Sequence, residues 1–226
     1  MDKIDRQGMY KIYDNWAQIA QNTYESNLEP VDFKNIDHVV FCGMGGSGAI
    51  GDLFASILSG TNIHTTVVKG YVIPKTIDEN TLVVFTSVSG NTVETLSALE
   101  SANKINCKII GFSSGGMLET FCIKNNIEYK KITKIHSPRA SFLNFVYSML
   151  KTLIFIIPIH KQEIVQSIKL LENTSQKISS TNLSDTNPSI NLANWIDGTP
   201  VIYYPWGLET AAIRFKNSLQ ENVKTH

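Results

Sequence analysis

Apolar residues along the chain gather in short unbroken runs. Val39-Val40-Phe41-Cys42, Leu82-Val83-Val84-Phe85-Thr86 and Lys108-Ile109-Ile110-Gly111-Phe112 are three of them, and Thr65-Thr66-Val67-Val68 is a weaker fourth. A strand with no polar side is buried on both faces, which is the mark of a parallel sheet covered by helices. Between the runs the apolar spacing lengthens to three and four. Helices are predicted over residues 49–58, with Gly60 as the stop, and over 92–103, 117–125 and 139–157. Residues 127–132 form a short further strand, and Tyr71 to Pro74 a connecting loop. Ahead of the first strand, residues 7–24 carry Tyr10, Tyr13, Trp16, Ala17 and Ala20 on one helical face. Strands alternating with helices predict an α/β fold, a three-layer αβα sandwich around a parallel sheet of flavodoxin-like type.

The pattern changes after Pro158. Residues 160–194 are richer in Ser, Asn, Gln and Thr, yet Ile164, Ile168, Leu171 and Ile178 keep a helical spacing. They read as one helix followed by a polar loop over 179–188. Residues 200–204 predict another strand, and 208–221 another helix. The expected organisation is a first domain over 1–158, a helical connector over 159–196, and the incomplete beginning of a second α/β domain over 197–226.

Composition narrows the function. The 226 residues hold 20 Lys+Arg against 20 Asp+Glu, a formal net charge of zero. That balance argues against a nucleic-acid partner and against polybasic attachment to a membrane. At 42% hydrophobic residues the chain is globular. Its three cysteines, Cys42, Cys107 and Cys122, lie in or beside apolar stretches and read as buried free thiols of a reducing compartment. No Cys-x-x-Cys or His/Cys cluster suggests zinc. Residues 1–6 lack the apolar core of a signal peptide. The most membrane-like stretch, 143–159, is short and is interrupted by Asn144, Lys151 and Pro158, so a buried helix explains it better. A cytoplasmic protein is expected.

Two loops carry candidate chemistry. Gly43, Gly45 and Gly48 satisfy the G-x-G-x-x-G spacing of dinucleotide sites. That reading requires an acidic residue near the end of the second strand, where the chain instead reads Val67-Val68-Lys69-Gly70-Tyr71. The second loop, Ser87-Val88-Ser89-Gly90-Asn91-Thr92, sets three hydroxyls around a glycine that would let the backbone approach a ligand, directly before a helix. Hydroxyls beside the free N–H groups and positive dipole end of a helix suit a phosphate monoester. Ordinary helix capping would need one hydroxyl only. Glu94, two residues on, complements the helix dipole.

The ordered set of segments resembles the sugar isomerase (SIS) domain, and within it the archaeal-type bifunctional phosphoglucose/phosphomannose isomerase family. The resemblance rests on the glycine loop from Gly43 to Gly48, Tyr71-Val72-Ile73-Pro74, the hydroxyl loop continuing through Val93-Glu94-Thr95, Ser114-Gly115-Gly116-Met117-Leu118, Ser137-Pro138-Arg139-Ala140, and the segment from Ala212 to Lys224. It implies two SIS domains facing each other across an active site. By resemblance, Ser47, Ser87, Ser89 and Thr92 would hold the substrate phosphate, and Gly46 would let the sugar come close. Arg139 would stabilise the enediolate oxygen, and Glu221 would be the catalytic base. The implied reaction interconverts glucose 6-phosphate and fructose 6-phosphate, with mannose 6-phosphate as a further substrate, in a homodimer. Proton transfer through a cis-enediol needs one carboxylate and one cation, and no metal or redox cofactor.

The chain departs from the family in three places. Ser137 stands for a glutamine, and Gln220 for an asparagine. The ring-opening histidine of the family lies beyond the segment matching Glu221, so it is expected past residue 226, and His226 does not replace it. The chain is therefore expected to be truncated. Arg214, Asn217 and Glu221 share a helix face at i, i+3 and i+7. His38, His64, His136 and His160 sit in no motif and are expected to be structural. Trp16, Trp195 and Trp206 are expected in the core or an interface, and Cys42 in packing. A phosphosugar-binding module without turnover is the alternative, and a dinucleotide-dependent oxidoreductase a weaker one.

Overall fold

The structure is a computed structural model that describes residues 5–223. Residues 1–4 and 224–226, and with them part of the leader reading, Lys224 and His226, lie outside the described residues. Two helices, α1 (Met9–Asp14) and α2 (Trp16–Glu25), lead into β1 (His38–Cys42), α3 (Gly46–Leu58), β2 (His64–Val68) and β3 (Thr81–Ser87). Then follow α4 (Val93–Ala102), β4 (Lys108–Ser113), α5 (Gly116–Lys124), β5 (Glu128–Lys131), α6 (Phe142–Thr152), α7 (Lys161–Ile178), α8 (Pro188–Trp195) and α9 (Glu209–Ser218). A π-helical turn, Leu219–Val223, extends α9.

The five strands form one parallel sheet in the order β2-β1-β3-β4-β5. Both central strands β1 and β3 are buried along their whole length, which is why they read as unbroken apolar runs. Alternate residues feed two cores. Phe41, Val84 and Phe112 meet Ala20 of α2, Phe54 of α3 and Phe145 of α6 on one face. Val40, Phe85 and Ile109 meet Leu99 of α4 and Leu118 of α5 on the other. Ile164 and Ile168 dock α7 onto the first core, and the rest of that helix is largely exposed. The expected αβα sandwich is present.

Four expectations are corrected. The leading helix breaks at Asn15, whose side chain donates to Lys11 O at 2.7 Å and closes the first piece. The apolar stretch after Arg139 is helical only over α6. Ser141 Oγ accepts from Ile135 N and donates to Ile135 O, both at 2.9 Å, so Arg139 lies in a turn ahead of the helix. At the other end Pro158 disfavours helical backbone at Ile157, and the chain leaves α6 through tight turns after Leu153. Residues 200–204 are extended but form no strand, because no described strand lies alongside to pair with them. Finally α8 was not anticipated. Of the tryptophans expected in the core or an interface, Trp16 is half-buried, and Trp195 and Trp206 lie outside the core at 79% and 88% exposure.

Among the described residues no helix is long and apolar enough to cross a membrane, and no group of three or more His, Cys, Asp or Glu could hold a metal ion.

Candidate active site

The sheet order reverses between β1 and β3. The chain leaves β1 into α3 on one face and leaves β3 into α4 on the other. A crevice therefore opens at the carboxyl ends of these two strands, the usual ligand position in such sheets. Both loops singled out in the sequence border it. Gly43 follows β1, and a Cβ there would meet Thr86 O at 3.0 Å and the Ser47 Cβ at 3.1 Å. Glycine is thus what allows the first turn of α3, with Gly46 and Ser47, to fold back over the end of β3.

In the second loop, the buried Ser87 Oγ lies 3.0 Å from Thr92 Oγ1 and accepts from Gly90 N at 3.1 Å. Ser89 is exposed, and its Oγ accepts from Asn91 N at 3.2 Å. Thr92 occupies the N-cap of α4 but makes no side-chain capping bond. Its hydroxyl is turned to Ser87 instead, which argues against ordinary capping as the reason for the hydroxyls. The N-cap residues of α3 and α5 are Gly45 and Gly115, which have no side chain to cap with. The N-termini of α3 and α4 therefore stand at the carboxyl ends of β1 and β3 without side-chain caps, a positive setting for an anion. Glu94 lies in the first turn of α4 as expected.

Gly90 has a different task from the one expected of it. At φ +69° it packs so closely that a Cβ would fall 1.7 Å from Gly115 O, while a Cβ on Gly116 would fall 2.5 Å from Ser89 O. Asn91 Oδ1 accepts from Met117 N at 2.9 Å, and Gly90 O from Leu118 N at 2.9 Å. The close approach is between two loops of the protein, and the Gly115-Gly116 turn braces the hydroxyl loop.

On the other side of the crevice, Arg139 Nε pairs with Glu221 Oε2 at 2.8 Å, and its Nη1 donates to Asn222 Oδ1 at 2.6 Å. Glu221 and Asn222 are adjacent in the π-helical turn, a local widening that recurs at functional sites. Arg139 is partly buried and Glu221 exposed. Arg214 of α9 links this pair to the first glycine loop. Its Nη2 donates to Arg139 O at 3.2 Å, its guanidinium lies 4.4 Å from the Phe142 ring centroid, and its Nη1 is 3.8 Å from where a Cβ on Gly46 would stand. Tyr13 reaches the same place from α1, where Arg214, Arg139, Asn222 and Glu221 all act on its hydroxyl, which donates to Met9 Sδ at 3.9 Å. Burial pushes the Tyr13 hydroxyl above the ordinary tyrosine value, against the pull of Arg214 and Arg139. Burial also holds Arg214 below the ordinary arginine value.

The structure thus brings Ser87 and Thr92 into contact and Arg139 onto Glu221, and it places Gly46 beside Arg214. Ser47 and Ser89 stand on the two loops at the crevice. Sequence reasoning missed Arg214, Asn222 and Tyr13 as neighbours of the pair. The helical spacing of Arg214, Asn217 and Glu221 was a usable signal for the first, whereas Tyr13 left none.

The remaining candidates are structural. His38 Nε2 lies 3.0 Å from Thr66 Oγ1 and its ring packs on His64. His136 Nε2 meets Gln7 O at 3.2 Å, and His160 forms a capping box with Glu163 on α7. Cys42 is buried and desolvation pushes its thiol to about 12, so it is a packing residue. The place where a dinucleotide site needs an acid is filled by Lys69, whose stem lies against Gly48 and whose amine pairs with Asp52 at 2.6 Å.

Comparisons with known proteins agree with this layout. The SIS domain family matches residues 32–156, and the family described as the bacterial phospho-glucose isomerase C-terminal SIS domain matches residues 185–226. A bifunctional phosphoglucose/phosphomannose isomerase from Caldicellulosiruptor bescii is 32% identical over 228 residues, covering 96% of this chain and 66% of that protein. A D-glucosamine-6-phosphate 4-epimerase from Sulfolobus acidocaldarius is 27% identical over 96% of this chain and 66% of its own length. The chain therefore spans just under two thirds of these relatives. Among solved structures, the C-terminal domain of glucosamine-fructose-6-phosphate aminotransferase from Francisella tularensis superposes with a TM-score of 0.67 at 16% identity, covering 96% of this chain and 68% of that one, which shows the shared fold. On the match across most of its sheet and helices, the chain belongs to the SIS domain family.

Proposed function

We propose that the chain carries the phosphate site and the reacting end of an aldose–ketose isomerase for hexose 6-phosphates. The observation that carries this reading is the Arg139–Glu221 ion pair at the crevice bordered by the Ser87–Thr92 hydroxyl loop. The relatives named as phosphoglucose/phosphomannose isomerases support it.

In this reading the substrate phosphate lies against Ser47, Ser87, Ser89 and Thr92, over the N-termini of α3 and α4. Glu221 takes the proton from carbon 2 of the open-chain aldose and returns it to carbon 1, the hydroxyl proton on the carbon-2 oxygen passes to the carbon-1 oxygen, and Arg139 stabilises the enediolate between the two transfers. Substrate then takes over the interaction that Arg139 and Glu221 make with each other. No step requires a metal or redox cofactor. Glucose 6-phosphate and fructose 6-phosphate are the proposed pair, with mannose 6-phosphate as a further substrate. The proposed division is 1–158, 159–196 and 197–226, in a cytoplasmic homodimer, as in the family it resembles; the neutral charge and free thiols fit that compartment.

The test is thermal. Fructose 6-phosphate should raise the melting temperature, and Ser89→Ala should reduce that rise. A coupled assay of fructose 6-phosphate turnover then separates an isomerase from a binding module. No shift with fructose 6-phosphate, glucose 6-phosphate or mannose 6-phosphate would sink the reading. A shift with turnover to a product changed only at carbon 4 would move the assignment to the epimerase branch.

A further inference from the structure

We propose that Arg214 is a positioning residue of this site, which fixes Arg139 at the reacting end and adds a second positive charge to it. The inference rests on the hexose-phosphate reading and extends it to a residue outside the phosphate loop and outside the acid–base pair.

Three observations carry it. First, Arg214 stands between the two halves of the crevice. One end of its guanidinium faces Gly46 at the start of α3, and the other donates to the main-chain carbonyl of Arg139 at 3.2 Å. Arg139 follows a proline in a turn, so its main chain is held by a few contacts, and this is one of them. Second, burial is the main effect that disfavours a charged Arg214, and Arg139 repels it as well, while Tyr13 and Glu221 act in the opposite direction. The Glu221 carboxylate touches Arg139 and not Arg214, so one carboxylate serves two guanidiniums. Two like charges held together in a crevice are accommodated when a further negative charge arrives between them. Third, the planar group is fixed on three sides, by the Phe142 ring, by Arg139 O and by the Gly46 loop, a placement that suits a fork of donors better than an ammonium.

The consequence is specific to charge at one end of the ligand. Three of the four proposed phosphate hydroxyls, those of Ser87, Ser89 and Thr92, lie on the hydroxyl loop, which Arg214 does not touch; toward the fourth, Ser47, it reaches only as far as Gly46. Its loss should therefore leave recognition of the phosphate intact and weaken recognition of negative charge where the enediolate forms. 6-Phosphogluconate carries a carboxylate at that end, whereas fructose 6-phosphate is neutral there.

Calorimetric titration of the whole chain with both ligands tests this. Arg214→Met should weaken 6-phosphogluconate by about tenfold, the scale of one charge-assisted hydrogen bond, and fructose 6-phosphate by less than about threefold. Arg214→Lys, which keeps charge and loses the fork, should recover part of the 6-phosphogluconate affinity. Equal weakening of both ligands would make Arg214 merely structural and overturn the proposal, as would no change in either. Should Arg214→Met not fold, Arg214→Lys decides alone: it must weaken 6-phosphogluconate several-fold more than fructose 6-phosphate. A wild-type chain that binds fructose 6-phosphate while the variants behave alike overturns this inference only. A wild-type chain that binds neither ligand overturns the hexose-phosphate reading and this inference with it.

Discussion

Ser89 and Gly90 are neighbours with opposite sensitivities. Ser89 is exposed, and among the described residues its hydroxyl meets only the amide of Asn91. Ser89→Ala should change stability by less than about 0.5 kcal/mol while reducing the ligand-induced thermal shift. Gly90 is buried at φ +69° with a carbonyl 1.7 Å from any Cβ. Gly90→Ala must part the two loops, so it should lower the melting temperature by several degrees, on the order of 2 kcal/mol or more, and abolish the shift as well. The serine hydroxyls were legible in the sequence because hydroxyls before a helix have few explanations. The glycine was legible as a glycine but not by its task, because its partner lies in another loop. His38 gives a pH prediction. Burial, then the neighbouring His64, holds it below the ordinary value of 6.5, opposed by Asp37 and Asp78. The unfolded chain then binds the extra proton first, so stability should fall as pH drops below 6.5. His38→Gln should flatten that fall in thermal denaturation followed across pH 7 to 5.

Elements were legible where burial was double-sided and obscure where it depended on distant partners. Both β1 and β3 announce themselves because their middle residues, Val39 to Phe41 and Leu82 to Phe85, are apolar on both faces, with the buried polar residues His38, Thr81, Thr86 and Ser87 confined to the ends. The stretch at 200–204 has the same apolar look, yet a strand is a paired object, and no described strand pairs with it. α8 is hidden for the opposite reason: it is eight residues long and sits directly behind the polar stretch 179–188, too short to show a helical period. Its signal was present in Asn187-Pro188: the Asn187 side chain caps Ser189 N at 2.8 Å and Pro188 opens the helix. Asn187→Ala should cost about 1 kcal/mol and raise amide exchange over 188–195 without altering exchange in the sheet. The leading helices matter for a reason no local pattern shows. Trp16 Nε1 donates to Ala140 O at 3.2 Å, and the Trp16 ring sits edge-on to Tyr13 at 4.7 Å, so α1 and α2 hold the turn that carries Arg139. Trp16→Ala should destabilise by roughly 3 kcal/mol and quicken exchange in residues 137–141, a pairing of effects that a remote surface change would not produce.

At the scale of the whole molecule, apolar exposure is uneven. Val201, Tyr203 and Trp206 are 73%, 90% and 88% exposed, all within one extended segment between α8 and α9. Large apolar side chains exposed so near one another in sequence attract a partner or a second copy. The chain should self-associate with rising concentration in sedimentation velocity. Tyr203→Ser with Trp206→Ser should reduce the association while leaving the melting temperature nearly unchanged, since neither side chain supports the core.

The ion pair between Arg139 and Glu221 joins positions 82 residues apart along the chain. Arg139 belongs to the segment matching one family and Glu221 to the segment matching the other. Distance along the chain is also elapsed time on the ribosome. The sheet, the glycine loop and the hydroxyl loop are all synthesised before α9 emerges, so on the proposed roles a growing chain would own its phosphate loops before it owned Glu221. The contact between Glu221 and Arg139 would form late and abruptly, when the end of α9 reaches the turn that carries Arg139.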